Sequence, residues 1–153
     1  MRPAEKVVDV SKLLGLKTVL AQGPVLTCNH CKNFTIASGT LDAVSEVLAK
    51  WLVESADRLT KDEARFLRKF MLLTQKELAA RLSVARLTVV RWEEAKQLDY
   101  LKSYALRALV SAWMKGNRGT EVTLPDRTAR GLKETKNRTW NLKGEPGSMS
   151  LQV

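Results

Sequence analysis

The chain has 153 residues, 44% of them hydrophobic, and its 26 lysines and arginines outnumber 16 aspartates and glutamates for a formal net charge of +10. That length supports one real core with a small satellite module, and the basic excess suits a polyanionic partner. No apolar run of about 18 residues and no basic amphipathic anchor is present, and MRPAEKVVDV lacks the apolar centre of a signal peptide, so a cytoplasmic, nucleoid-associated protein without membrane contact is expected.

Residues 1–38 read as a small β-leaning module. Its stretch LKTVLAQGPVLTC predicts a hairpin, with Thr18-Val19-Leu20 and Val25-Leu26-Thr27 on either side of a turn at Gln22-Gly23. The module ends in Cys28-x-x-Cys31 with His30 inside it, a spacing that lets two thiolates bind one metal ion. Structural zinc takes four ligands, whereas the chain has 2 cysteines and 1 histidine, and His30 is too constrained to join its neighbours on the same ion. A disulfide is not expected in a cytosolic chain, and a thioredoxin-like role would need a βαβ setting that is absent.

Residues 39–58 form a connecting amphipathic helix, with Leu41, Val44, Leu48, Trp51 and Leu52 on one face. Thr60 and Glu63 then make a capping box, in which each side chain satisfies a backbone donor of the other, and Ala64, Leu67, Phe70 and Met71 give the following helix its apolar stripe. A second box, Thr74 with Glu77, starts a helix at Gln75 whose Leu78, Ala79 and Leu82 repeat at helical spacing. Ser83-Val84 makes a turn. In the next helix Val89 and Trp92 point inward, which turns Arg86, Leu87, Val90 and Arg91 outward. A last long helix carries Leu98, Leu101, Ala105, Ala108, Leu109, Ala112 and Trp113 to about Gly116, with a stripe wide enough to offer a surface to a second copy.

Two helices joined by a tight turn are the layout of a helix-turn-helix, so residues 59–116 are expected to form a DNA-binding domain. Charge agrees with that placement, because residues 1–59, 60–115 and 116–153 carry net charges of +1, +6 and +3. Residues 117–153 are polar and rich in glycine and proline, and are expected to be a basic, largely disordered tail, either solubilising or adding phosphate contacts; Trp140 stands alone among its charges.

Gln75, Leu78, Ala79, Val84, Thr88, Val89, Trp92 and Glu93 resemble the pattern of the Xre-family (lambda-repressor-like) helix-turn-helix. The order of a β-leaning module ending in Cys-x-x-Cys, an amphipathic helix and then LTKDEARFLRKFMLLTQKELA is similar to the MqsA/YgiT-type antitoxins over roughly residues 15 to 115. The resemblance implies a mainly α fold, with phosphate bound at Gln75 and base edges faced by Arg86, Leu87, Val90 and Arg91. It also implies a homodimer on double-stranded DNA, a cognate toxin as a further partner, and zinc held by two Cys-x-x-Cys pairs. This chain has only Cys28 and Cys31, which leaves a metal-free pair of thiols, a zinc ion shared between protomers, or one completed by non-protein ligands. Ser83, Ala85 and Ala95 stand where the family usually has a turn glycine, a capping serine and a closing glycine.

The expected function is therefore a sequence-specific transcriptional regulator, an antitoxin-like autorepressor that binds a palindromic operator as a dimer. Gln75, Lys76 and Lys96 are the candidate phosphate contacts, Arg86 and Arg91 the candidate base readers, and Leu87, Thr88 and Val90 the residues that tune the fit. The alternatives are a toxin-neutralising interaction protein with weak DNA binding, and a thiol- or metal-responsive regulator using Cys28 and Cys31. No enzyme is expected, since no phosphate-binding glycine loop, carboxylate cluster or oriented nucleophile is visible.

Overall fold

The computed structural model describes residues 2–31, 33–124, 139–143 and 150–152. They form, in order, β1 (Arg2–Asp9), α1 (Ser11–Leu14), β2 (Val19–Thr27), β3 (Phe34–Ile36), α2 (Ser38–Glu54), α3 (Lys61–Phe70), α4 (Gln75–Arg81), α5 (Arg86–Glu94), α6 (Tyr100–Arg118), β4 (Trp140–Lys143) and β5 (Ser150–Gln152). Helix predominates, at about 52% against 19% strand, and the fold is mixed because strands from the two ends of the chain together build a five-stranded sheet. The chain divides into two compact units, Met1–Leu48 with Asn137–Val153, and Ala49–Lys136.

In the first unit β2 is the central strand. Burial alternates along it, with Val19, Ala21, Gly23 and Val25 inward, the period-two pattern of a strand with one covered face. β1 lies antiparallel along one edge, from Arg2 opposite Thr27 to Asp9 opposite Leu20. The other edge is shared: β4 pairs in parallel with Val19 to Gln22, and β3 pairs antiparallel with Val25 to Thr27. Gly23 and Pro24 fall in the gap between those two partners, where a proline's missing N–H leaves no ladder bond unmade. The expected hairpin is therefore replaced by one continuous strand. Gly23-Pro24 marks a change of neighbour along the edge, not a reversal of the chain.

The link from β1 to β2 is made by α1 and a glycine cap, Gly15 at φ 70°. Ser11 locks it: its hydroxyl donates to Asp9 and accepts from the Val19 N–H at 2.7 Å. Those Ser11 bonds, from hydroxyl and from backbone N–H, hold the Asp9 carboxyl below the usual carboxylate range. A second difference concerns the C-terminal region. Within the expected disordered tail, Trp140 to Lys143 and Ser150 to Gln152 are strands of this sheet, and Trp140 and Leu142 are buried. The rest of that expectation beyond residue 124 lies outside the described residues.

The second unit is helical. The Thr60 and Glu63 capping box forms as the spacing predicts, with Thr60 N–H on Glu63 Oε2 at 2.9 Å and Glu63 N–H on Thr60 Oγ1 at 3.3 Å. α6 packs a different face from the expected one. Its buried side chains are Ser103, Leu106, Arg107, Val110 and Met114, while Leu101 is 69% exposed. The two polar members of that face hydrogen-bond to backbone: Ser103 Oγ accepts from Leu59 N–H at 3.1 Å, and Arg107 donates through Nε to the carbonyl of Leu52, at 2.7 Å, and through Nη2 to that of Asp57. At the far end of α6 Trp113 meets the ring of Phe70 edge-on at 5.3 Å, and Arg118 lies over both rings.

Candidate nucleic-acid interface

The candidate interface is built by α4, α5 and the turn between them. Thr74 and Glu77 close the second capping box, Thr74 N–H to Glu77 Oε2 at 2.7 Å and Glu77 N–H to Thr74 Oγ1 at 3.2 Å, so α4 starts at Gln75. It ends in a Schellman turn: Val84 N–H reaches Ala79 O at 3.0 Å and Ser83 N–H reaches Ala80 O at 3.2 Å. Ser83 therefore takes the left-handed conformation, φ 54°, in the position where glycine is usual. The turn before α4 repeats the arrangement with Leu72 at φ 58°, Leu73 N–H on Arg68 O and Leu72 N–H on Lys69 O. Ala85 caps α5 without a side-chain hydrogen bond. Ala95 is extended, at φ −65° and ψ 140°, so the missing glycine there costs no backbone strain.

Along α5, Val89, Trp92 and Glu93 are buried, which fixes the helix on the unit. Arg86, Leu87 and Arg91 are exposed, Leu87 at 57%, and Thr88 and Val90 are half-buried at the margins of that strip. Five helical positions separate the two arginines by about 7.5 Å along the axis and about 140° around it, so they flank the outward face rather than stack on it. Lys76 and Lys96 are also exposed, on α4 and just beyond α5. Gln75 is half-buried and bound on both sides of its amide. It donates to Glu93 Oε2 at 3.0 Å, and its carbonyl oxygen accepts from Arg86 at 3.5 Å.

Comparison with family models, with curated proteins and with solved structures finds no match.

Glu93, in sequence one member of the helix-turn-helix pattern, is the organising residue of the site. The residue is 4% exposed, and its carboxylate accepts from Arg68 Nε at 2.5 Å, from a second Arg68 nitrogen at 3.2 Å and from Gln75, with Arg65 Nε at 3.6 Å. Arg65 and Arg68 also donate to backbone, to Glu93 O at 2.9 Å and Leu73 O at 2.8 Å. Burial works against the charged carboxylate, but the Arg68 and Gln75 hydrogen bonds and the Arg68 and Arg65 charges outweigh it and hold the carboxyl below the usual glutamate range. One ion cluster thus ties α3, the start of α4 and the end of α5 together. The available signal was positional: Glu93 lies four residues after Val89 and next to Trp92, on the face that must turn inward.

Cys28 and Cys31 sit in the turn between β2 and β3, closed by Cys28 N–H on Asn33 O at 2.8 Å. The backbone N–H groups of Cys31 and His30, and then the Cys31 thiol, hydrogen-bond the Cys28 sulfur and lower its pKa. This arrangement favours a thiolate and fits two of the four corners of a tetrahedral zinc site. Among the described residues no group of three or more His, Cys, Asp or Glu side chains converges as a metal site. A single chain's donor set therefore does not fit a closed structural zinc. No helix among the described residues is long and apolar enough to cross a membrane.

Proposed function

We propose that this chain is a sequence-specific DNA-binding transcriptional regulator whose α4–α5 unit is an Xre-type helix-turn-helix. The observation that carries the reading is the division of α5 into a buried edge of Val89, Trp92 and Glu93 and an exposed strip of Arg86, Leu87 and Arg91. A helix held this way can enter the major groove, where an arginine paired bidentately with guanine is worth about 1–3 kcal/mol of discrimination. The axial offset of Arg86 and Arg91, about 7.5 Å, matches roughly two base-pair steps of about 3.4 Å. Leu87 is placed to pack on a thymine methyl, with Thr88 and Val90 at its sides. Lys76 and Lys96 flank the strip and supply phosphate contacts, and the net +6 of residues 60–115 favours the same partner.

Gln75 takes a modified role in this reading. Its carbonyl faces Arg86 and one amide hydrogen serves Glu93, so it braces the reading arginine, and only its remaining amide hydrogen is left for phosphate. A homodimer presenting two such helices about 34 Å apart would read a palindrome, and an antitoxin-like autorepressor of its own operon is the regulatory role we assign. Selection of bound duplexes from a random-sequence DNA library tests the proposal. A palindromic motif should be enriched, whereas binding without enrichment over many rounds would contradict sequence-specific recognition.

A further inference from the structure

We infer that Cys28 and Cys31 form half of a zinc site that is completed by the same two residues of a second copy of this chain. The inference stands apart from the DNA reading and rests on the first unit alone. The β2–β3 turn already has the form of a metal knuckle. Cys28 N–H closes it on Asn33 O at 2.8 Å, the N–H groups of His30 and Cys31 point at the Cys28 sulfur, and the Cys31 thiol lies within hydrogen-bond reach of that sulfur. Two sulfurs are thereby set at one point on the surface, Cys28 half-buried and Cys31 exposed, open to an ion from outside.

The donor count decides who completes the site. The whole sequence has 2 cysteines and 1 histidine, and that histidine, His30, is exposed within the same four-residue turn. No third or fourth thiolate exists in the chain, while structural zinc is almost always four-coordinate. A second knuckle brings the missing pair. Phe34 stands beside the first: it pairs with Thr27, the residue before Cys28, and is 54% exposed, an aromatic surface that a facing copy would cover. Assembly is a substitution without redox change: four thiols release four protons, four sulfur lone pairs enter one Zn²⁺, and the site carries a net charge of −2.

The test is a cobalt titration of the full-length reduced chain, followed by absorption and by light-scattering mass. The expected result is a break at about half an equivalent of Co²⁺ per chain, with the intense charge-transfer and visible bands of a tetrahedral four-thiolate ion. Zn²⁺ should bleach those bands at the same stoichiometry. Cys28→Ser and Cys31→Ser should each abolish the four-thiolate spectrum, and reversible blocking of the wild-type thiols should do the same without any substitution. A break at one equivalent, bands that survive in either variant or after blocking, a monomeric mass for the loaded protein, or no binding by fully reduced protein would each overturn the inference.

Discussion

Removing the Glu93 carboxylate is the perturbation that most strains the helical unit. The side chains of Glu93 and Arg68 are 5% and 12% exposed, so Glu93→Ala leaves a guanidinium largely shielded from water, with the Leu73 carbonyl as its remaining hydrogen-bond acceptor among the described residues. Breaking a buried pair from one side costs about 3–5 kcal/mol. Because Arg68 keeps one backbone acceptor and Arg65 is partly exposed, the lower end applies, about 3 kcal/mol. For a unit of this size each 1 kcal/mol moves Tm by about 4–8 °C, so a fall of about 12–24 °C is expected in the transition followed by far-ultraviolet circular dichroism.

Charge can be separated from packing. Arg68→Met with Glu93→Leu removes both partners and fills the space, so the double variant should be at least 1 kcal/mol more stable than the sum of the single effects. The pH dependence has a definite sign. A carboxyl whose pKa is depressed in the folded state contributes stability that is complete above its unfolded value, about 4.3, and disappears as pH falls through the lower folded value. The gap between wild type and Glu93→Gln should therefore be widest near neutrality and close below about pH 4. A Glu93→Ala loss under about 0.5 kcal/mol, strict additivity in the double variant, or a gap that widens in acid would refute the role given to this cluster.

The two left-handed residues predict gains. Leu72→Gly and Ser83→Gly each remove a side chain from a positive-φ position, worth about 1–2 kcal/mol, less about 0.4–1 kcal/mol of added chain entropy when unfolded, so urea unfolding should show each variant more stable by about 0.5–1 kcal/mol. Ala85→Ser supplies the absent cap of α5 and should add about 1 kcal/mol in the same assay, with no change in the base preference of the selected DNA. Arg107→Met leaves the Leu52 and Asp57 carbonyls without their buried donor and should destabilise the unit by about 2–4 kcal/mol, whereas Leu101→Ser on the exposed side of the same helix should change it by less than about 0.5 kcal/mol.

What could be read from the sequence was local. Thr60 with Glu63 and Thr74 with Glu77 are signals contained within four residues, and the helices begin where those boxes put them. The face of α5 was legible for the same reason, since Val89 and Trp92 are large apolar residues at helical spacing. The face of α6 was not. Its core side contains Ser103 and Arg107, and a search for apolar periodicity passes over a buried arginine that bonds to carbonyls more than 45 residues away. The sheet escaped for a related reason: β2 takes its parallel partner from Trp140 to Lys143, beyond the whole helical unit. Gly23-Pro24 is good turn chemistry, and only the two neighbours sharing that edge show why it lies in a strand.

The central claim is that α5 reads DNA bases through Arg86 and Arg91, and its most direct measurement is fluorescence polarisation on the selected duplex and a scrambled one across a salt series. The account predicts that Arg86→Ala and Arg91→Ala each cost about 1–3 kcal/mol on the selected duplex and relax preference at positions about two base pairs apart, while Lys76→Ala weakens both duplexes alike and lowers the log-log salt slope by about one. Unchanged selectivity in both arginine variants would contradict it.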